Sequence, residues 1–395
     1  MVELLTPAGD FERLKFAFLY GADAVYCGGR KFGLRANAKN FSLDELKEAT
    51  LYAHSLNKKI YITVNIVFHD KDIEGLDDYL KYLDSIKVDG IICSDILVVK
   101  KVKELGLNLH ISLSTQASTL NKRQVKFWSS LGVNRVVLAR EASREDVKSI
   151  KSTGIEVETF IHGAMCVSFS GKCVLSNYMT LRDSNRGGCA QICRWPFDIG
   201  LDHEFEIMPK DLNMIPFIKE LMDIGVDSFK IEGRMRSIYY VSTVINCYRA
   251  MIDLAYEDKL TSGIEAYYLN ILNRCANRES TPQFFDEIPS ENEQYYNGRE
   301  EISNQDFLGL VLGYDDNKKM VKLEVRNYFE SGYIAEFFGP DMEPVEIKIN
   351  NILNEDFEII GCANHPKSVV YLSIDKKIPE NAMLRIKAFD KNDFL

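Results

Sequence analysis

Eight short apolar runs, each followed by a segment with apolar residues at helical spacing, restrict this chain to very few folds. The runs are Glu3–Thr6, Ala24–Gly28, Lys59–Asn65, Gly90–Ser94, Leu109–Thr115, Arg135–Arg140, Val157–His162 and Ser228–Glu232. They are nearly continuous in Val, Ile, Leu and Tyr, the pattern of strands buried on both faces. Helical patterns lie between them: 11–20, a helix N-capped by Ser42 with Glu45 completing a capping box, 73–86, 96–105, 122–131, 144–152, 215–224 and 239–256. Gly21, Gly106, Gly132, Gly154 and Gly225 stand where helices end. Eight strand–helix pairs predict a (β/α)8 barrel of the TIM type. A doubly wound open sheet is the alternative, but no G-x-G-x-x-G turn follows the first strand.

The rhythm breaks once. About 50 residues separate His162, at the end of the seventh run, from the next helix, and loops of that length in a compact domain are usually functional. This insertion, about 163–210, leaves from a βα junction, the face where barrel active sites lie. Phe205 to Met208 reads as a short extra strand within it. A barrel domain is expected over 1–260 and a polar, acidic linker over 261–305. Six short strand-like runs over 306–395 predict a small all-β barrel.

Apolar residues make up 46% and charged residues 27%, as in ordinary soluble proteins, and the formal net charge is −10. An acidic chain repels nucleic acid at long range, so any nucleic-acid partner needs a local basic surface. The start of the sequence lacks the basic and apolar regions of a signal peptide, and no run is long enough to span a membrane. A cytoplasmic protein with reduced thiols is expected.

The insertion carries Cys166, Cys173, Cys189 and Cys193, spaced C-x6-C-x15-C-x3-C. Four thiolates in one segment bind zinc, hold an iron–sulfur cluster or form two disulfides. A reducing compartment disfavours disulfides. The first pair is too wide for a tight zinc knuckle, whereas a 4Fe-4S cluster tolerates broader spacing, so a cluster is the first reading and zinc the second. Arg182, Arg186 and Arg194 nearby either clamp an anion bidentately or balance the thiolate charge.

If the strands close into a barrel, their ends bring Asn65, Gln116, Arg140, His162, Glu232 and Arg234 to one face. His162 is a candidate proton donor or a buried, hydrogen-bonded imidazole. Glu232 is a candidate catalytic carboxylate or a local partner of Arg234. Asp211 reads first as the N-cap of the following helix and second as a catalytic acid. Neither an H-E-x-x-H motif nor a G-x-S-x-G elbow is present.

Several segments resemble the peptidase U32 family: ETFIHGAMCVSFSGKC from Glu158 to Cys173, NRGGCAQICR from Asn185 to Arg194, Tyr26–Gly29, Phe32–Ala36 and KIEGR from Lys230 to Arg234. The resemblance covers nearly all of the first 260 residues, and the last 90 resemble the small β-barrel appended to many members. It implies a 4Fe-4S cluster on the four clustered cysteines, with Cys27 as an outside candidate. It also implies oxygen-independent hydroxylation, in the branch that converts the tRNA wobble uridine to 5-hydroxyuridine with prephenate as co-substrate. Prephenate carries two carboxylates, for which Arg35, Arg140, Arg182, Arg186 and Arg234 are candidates. Tyr178, Trp195 and Phe197 are candidates for stacking on a base or for packing. Partners implied are tRNA, prephenate and an oligomer with itself or a related member. The alternatives are a peptidase or collagenase-like hydrolase, after the family name, and a non-catalytic tRNA- or ribosome-associated protein. Asn277 to Gln283 departs from the Gly-rich stretch of relatives.

Overall fold

The computed structural model describes residues 1–34, 40–198, 200, 206–276, 278–295 and 306–394. Nine strands occupy its first part: β1 (Glu3–Pro7), β2 (Ala24–Gly28), β3 (Lys59–Val64), β4 (Gly90–Cys93), β5 (His110–Leu113), β6 (Arg135–Val137), β7 (Glu156–Gly163), β8 (Asp211–Asn213) and β9 (Ser228–Ile231). All but β8 run parallel. β9 pairs with both β1 and β7, with Leu5 and Phe160 each opposite Lys230, so eight strands close into a ring. The predicted (β/α)8 barrel is therefore the fold, and all eight predicted strands are in it.

Helices α1 (Phe11–Leu19), α2 (Leu43–Ser55), α3 (Leu76–Ser85), α4 (Ile96–Glu104), α5 (Lys122–Ser130) and α6 (Arg144–Lys151) follow the first six strands. Their ends obey local chemistry. Ser42 and Glu45 form the expected capping box, and Asp10, Asp95 and Asn121 each accept a backbone N–H at a helix start. The five predicted glycines all have positive φ, a backbone state that costs other residues about 1–2 kcal/mol. Inside the insertion lies α7 (Leu175–Thr180), and α8 (Ile218–Ile224) resumes the barrel rhythm.

The expected extra strand is displaced. Glu206–Met208 is not extended into a strand, and Phe205 lies outside the described residues. The strand is β8 instead. It runs antiparallel to β7, with His162 opposite Asn213, and it pairs in parallel with β10 (Ser280–Thr281). Asp211 is therefore not a helix N-cap, because it sits within this strand.

The chain divides into two compact units, Met1–Arg236 with Arg278–Glu300, and Ser237–Asn277 with Glu301–Leu395. The expected boundary near 260 thus moves to 236. The stretch expected to be a linker carries α10 (Ser262–Cys275), which packs with α9 (Ile238–Tyr256) in the second unit. After α10 the chain returns to the first unit and supplies β10. Composition misled here because α10 is a mixed, half-buried helix in a polar neighbourhood.

In the second unit all six predicted strands form: Phe307–Asp315, Met320–Val325, Ile334–Gly339, Met342–Lys348, Val369–Ser373 and Met383–Ile386. With two shorter strands they make one antiparallel sheet around a core that includes Leu308, Val321, Phe329, Phe337, Leu372 and Leu384. Each such buried side chain contributes about 1.5–3 kcal/mol.

Candidate functional site

The bore of the barrel is charged. Arg135 donates Nη1 to Glu3 at 2.6 Å and to Glu158 at 3.2 Å, and Lys230 Nζ reaches the other Glu158 oxygen at 2.6 Å. Lys230 also lies 4.6 Å from the Tyr26 ring centroid. Burial of such charges is tolerable only when every one is paired. The column ends near the mouth at Glu232, whose Oε2 accepts from the Tyr26 hydroxyl at 3.0 Å.

Around that mouth the glycines are required by close approach. A Cβ on Gly28 would come 2.5 Å from an Arg234 guanidinium nitrogen, and one on Gly163, whose φ is +112°, would come 2.3 Å from the Glu232 carbonyl oxygen. Arg234 is buried and donates to Asn40. It braces β2 from within, where Cys27 is also buried with its thiol pushed up to about 12 by burial. Cys27 lies in the barrel wall as an inert core residue.

Asn65 and Gln116 do come together. Asn65 donates to Gln116 at 2.8 Å, and Gln116 donates back to the Asn65 carbonyl oxygen at 3.2 Å. Arg140 donates to the Ala164 carbonyl oxygen at 2.9 Å, with its guanidinium 4.1 Å from the Phe160 centroid. That leaves Arg140 at the root of the insertion. Arg186 is committed elsewhere. It grips Asp72 through two hydrogen bonds of 2.6 and 2.8 Å, and these hold the Asp72 carboxyl down to about 2. It ties the insertion to the turn after β3. Arg182 is exposed, and Arg35 lies outside the described residues.

His162 is buried, and its imidazole is pushed down to about 3 by burial and by the charge of Arg236. It is neutral at physiological pH, which opposes the proton-donor reading and favours that of a structural, hydrogen-bonding imidazole.

Asp211 organises a group of arginines that sequence reading did not assemble. Its Oδ1 accepts from Arg278 Nη1 at 2.8 Å, and Arg236 Nη2 lies 3.5 Å from its Oδ2. Burial pushes the Asp211 carboxyl up, and Arg278, Arg236, Arg194 and Arg140 pull it back. Arg278 and Arg236 are in contact with this one carboxylate, and Arg194 and Arg140 act on it through charge, which leaves a local excess of positive charge. The segment 278–295 holds this arrangement shut: Asp211 N–H donates to the Glu279 carbonyl oxygen and Lys210 N–H to that of Glu293, each at 2.9 Å. Lys210 itself pairs with Glu279, so it is not a free anion clamp.

The four cysteines are all free thiols, three of them half-buried and Cys189 exposed. Burial pushes the Cys193 thiol up to about 11, and charge on Cys166, Cys189 and Cys173 adds to the push, so the four sulfurs are electrostatic neighbours. Donors already face three of them. The Ser168 hydroxyl lies 3.2 Å from Cys166 Sγ, and the Leu175 and Gln191 backbone N–H groups donate to Cys173 and Cys189 at 3.4 Å. Such N–H···S bonds stabilise negative sulfur in metal thiolates. Four adjacent thiolates repel one another unless a cation joins them. A single tetrahedral zinc needs sulfurs converging at about 2.3 Å from one point. Among the described residues no three His, Cys, Asp or Glu side chains form such a group. The donor set is four thiols with N–H and O–H groups facing three of them, the chemistry of a thiolate-held metal group.

Fold and site together define a (β/α)8 protein with a thiol-rich insertion and a buried carboxylate, Asp211, paired with arginines. The peptidase family U32 profile matches residues 9–295 and its C-terminal domain profile matches residues 303–385. The chain belongs to the peptidase U32 family. It is 44% identical over 397 residues to tRNA hydroxylation protein P1 of Bacillus subtilis (strain 168), covering 97% of this chain and 94% of that one. It is 36% identical to the 23S rRNA 5-hydroxycytidine C2501 synthase of Escherichia coli (strain K12), over 72% of this chain and 45% of that one. A protein named collagenase from Porphyromonas gingivalis is 33% identical over 69% of this chain and 71% of its own. Among the described residues no helix is long and apolar enough to cross a membrane.

Proposed function

We propose that this chain is a tRNA-modifying enzyme that hydroxylates the wobble uridine at C5, independently of molecular oxygen. A 4Fe-4S cluster on Cys166, Cys173, Cys189 and Cys193 and prephenate as co-substrate complete the proposal. The observation that carries it is the 44% identity, along nearly the whole of both chains, to a tRNA hydroxylation protein. The rRNA 5-hydroxycytidine synthase supports a pyrimidine base as target.

A cluster held by Cys166, Cys173, Cys189 and Cys193 would supply the electron transfer that a hydroxylation without molecular oxygen needs. The remaining work falls to the chain's own residues. Arg278, Arg236, Arg194 and Arg140 receive the two carboxylates of prephenate, and Asp211 holds the guanidinium planes in place. Glu232, fixed by the Tyr26 hydroxyl, is the carboxylate placed at the mouth to accept a proton. Asn65 and Gln116, fixed on each other, present amide groups to the base edge. His162 stays neutral and orients β7 against β8.

Digestion of tRNA from a strain lacking this protein tests the proposal. Loss of 5-hydroxyuridine and its derivatives, restored by the wild-type chain and not by Cys189→Ser, is the expected result. An unchanged nucleoside profile overturns it. The collagenase relative makes a second assay worthwhile: gelatin cleavage by the purified protein, abolished by Glu232→Gln, would place the chain among hydrolases instead.

A further inference from the structure

We propose that the outer face of the insertion, built on α7 and its flanks, is the surface that receives unstacked bases of a single-stranded RNA loop. The inference rests on the RNA reading above and locates its interface. Seven of the large hydrophobic side chains exposed among the described residues fall between Val167 and Trp195. Tyr178 is 82% exposed, Leu181 94% and Trp195 42%, and the turn that carries Trp195 packs on α7. Concentrated exposed apolar surface marks an interaction site, whereas scattered single residues do not.

The backbone is spent on this display. Ser170, Leu181 and Gln191 all adopt left-handed φ between 47° and 57°, a state disfavoured for side chains other than glycine. Leu181 combines that conformation with nearly full exposure, so the strain serves nothing in the core. The segment is nonetheless anchored from below. Ser176 Oγ accepts from the Ala190 N–H at 3.0 Å, and Asn185 donates to the Cys173 carbonyl oxygen at 3.0 Å. The platform is fixed to the same loops that carry the thiols.

Charge decides between RNA and a protein partner. Residues 163–198 hold Lys172, Arg182, Arg186 and Arg194 against Asp183 and Asp198. That stretch is locally positive in a chain of net charge −10. Arg186 is neutralised by Asp72, but Lys172 and Arg182 are exposed. Aromatic faces interleaved with cations suit stacked bases and a phosphate backbone. Lysine is depleted from protein interfaces.

The chain has two tryptophans, so Trp128→Phe leaves Trp195 as a single reporter. Titration with an anticodon stem-loop RNA is expected to quench Trp195 fluorescence and to weaken as salt rises. Tyr178→Ser with Leu181→Ser is expected to lower affinity about ten- to a hundredfold, the range for losing a stacked base. Tyr178→Phe should stay within about twofold because the ring is kept, as should Tyr328→Ser, an exposed aromatic of the other unit. These side chains are exposed, so the variants leave the core intact, which circular dichroism and iron content check.

Affinity within twofold of wild type for the double variant overturns the proposal. So does a Trp195 blue shift produced by a protein partner in place of quenching by RNA. If 5-hydroxyuridine persists without the protein while the double variant still loses RNA, the surface stands and the reaction assignment falls. If the nucleosides change but the variant binds RNA normally, the surface alone falls.

Discussion

The bore of the barrel and the cysteine insertion solve the problem of charge in opposite ways. In the bore, Glu3, Arg135, Glu158 and Lys230 satisfy one another at 2.6–3.2 Å and are sealed from water. In the insertion, four free thiols share one segment and act on one another through charge, and large apolar groups face solvent. The bore is complete within the polypeptide, whereas the insertion keeps four free thiols and exposed apolar side chains, which the proposals above assign to a metal group and an RNA ligand. A paired buried ion network fixes geometry more than it adds stability, which suits a scaffold. An incomplete thiolate site gains its folding energy when loaded, which suits a functional appendage.

The sharpest way to break this comparison is Cys189→Ser. After anaerobic reconstitution with iron and sulfide, the variant should hold about zero iron per chain, because three thiolates leave one corner of the cluster open. The urea transition of the barrel should move by less than about 1 kcal/mol, since Cys189 is exposed and touches no barrel core. Retained iron removes Cys189 from the site, and collapse of the barrel removes the claimed independence.

Glu158→Ala attacks the other side. It leaves Arg135 and Lys230 buried without their shared carboxylate, so unfolding free energy should fall by about 3–5 kcal/mol. Urea denaturation followed by far-UV circular dichroism measures it. A loss below about 1 kcal/mol would mean that water or movement relieves the charges, and the bore would not be the closed system described.

How much of this was legible beforehand follows from the range of the interactions. The strands and helix ends were readable because apolar runs, N-caps and C′ glycines act within a few residues. Ser42 and Gly225 do in the structure what their neighbours predict. The quartet was visible as a pattern because its four thiols share one segment. The arginine group was not. Arg278 and Asp211 meet across 67 positions, through β8 and β10, strands of three and two residues that carry no periodic signal. The departure from the family pattern at 277–283 was the available hint, because a buried arginine there must find a carboxylate. Arg186 misled in the reverse sense. Its place beside Cys189 suggested a substrate clamp, whereas Asp72, far away in sequence, claims it.

His162 joins the two regions, and its titration sharpens where one ends. The folded imidazole is held down to about 3, first by burial and then by Arg236, against an unfolded value near 6.5. Above pH ~6.5 both states are neutral and the group adds no pH dependence. As pH falls below that, the unfolded chain binds a proton that the folded chain refuses. Stability should therefore decline towards pH ~3, with a limiting slope of about 1.4 kcal/mol per unit. His162→Gln should flatten that slope between pH 6 and 4 when urea midpoints are compared. An unchanged slope would show that the imidazole protonates in place, and the proton-donor reading would return.

The smallest effect is expected from Arg186→Ala, and it tests the joint itself. Arg186 grips Asp72 through both guanidinium nitrogens and also donates to the Val67 carbonyl oxygen. This fastens the insertion to the turn after β3. The Asp72 carboxyl is held down to about 2, chiefly by the Arg186 hydrogen bonds, so the contact is present above the ordinary carboxylate range and lost only as pH falls through about 2. Both partners remain partly open to solvent, where ion pairs contribute little to global stability. The urea midpoint should stay within error, while proteolysis inside 163–198 at neutral pH should speed up about twofold as local opening becomes easier. Arg186→Lys should not restore protection, because an ammonium cannot make the paired geometry. A large fall in the midpoint would instead mean that the insertion helps hold the barrel closed, and the division between a self-sufficient scaffold and an appended site would fail at this contact.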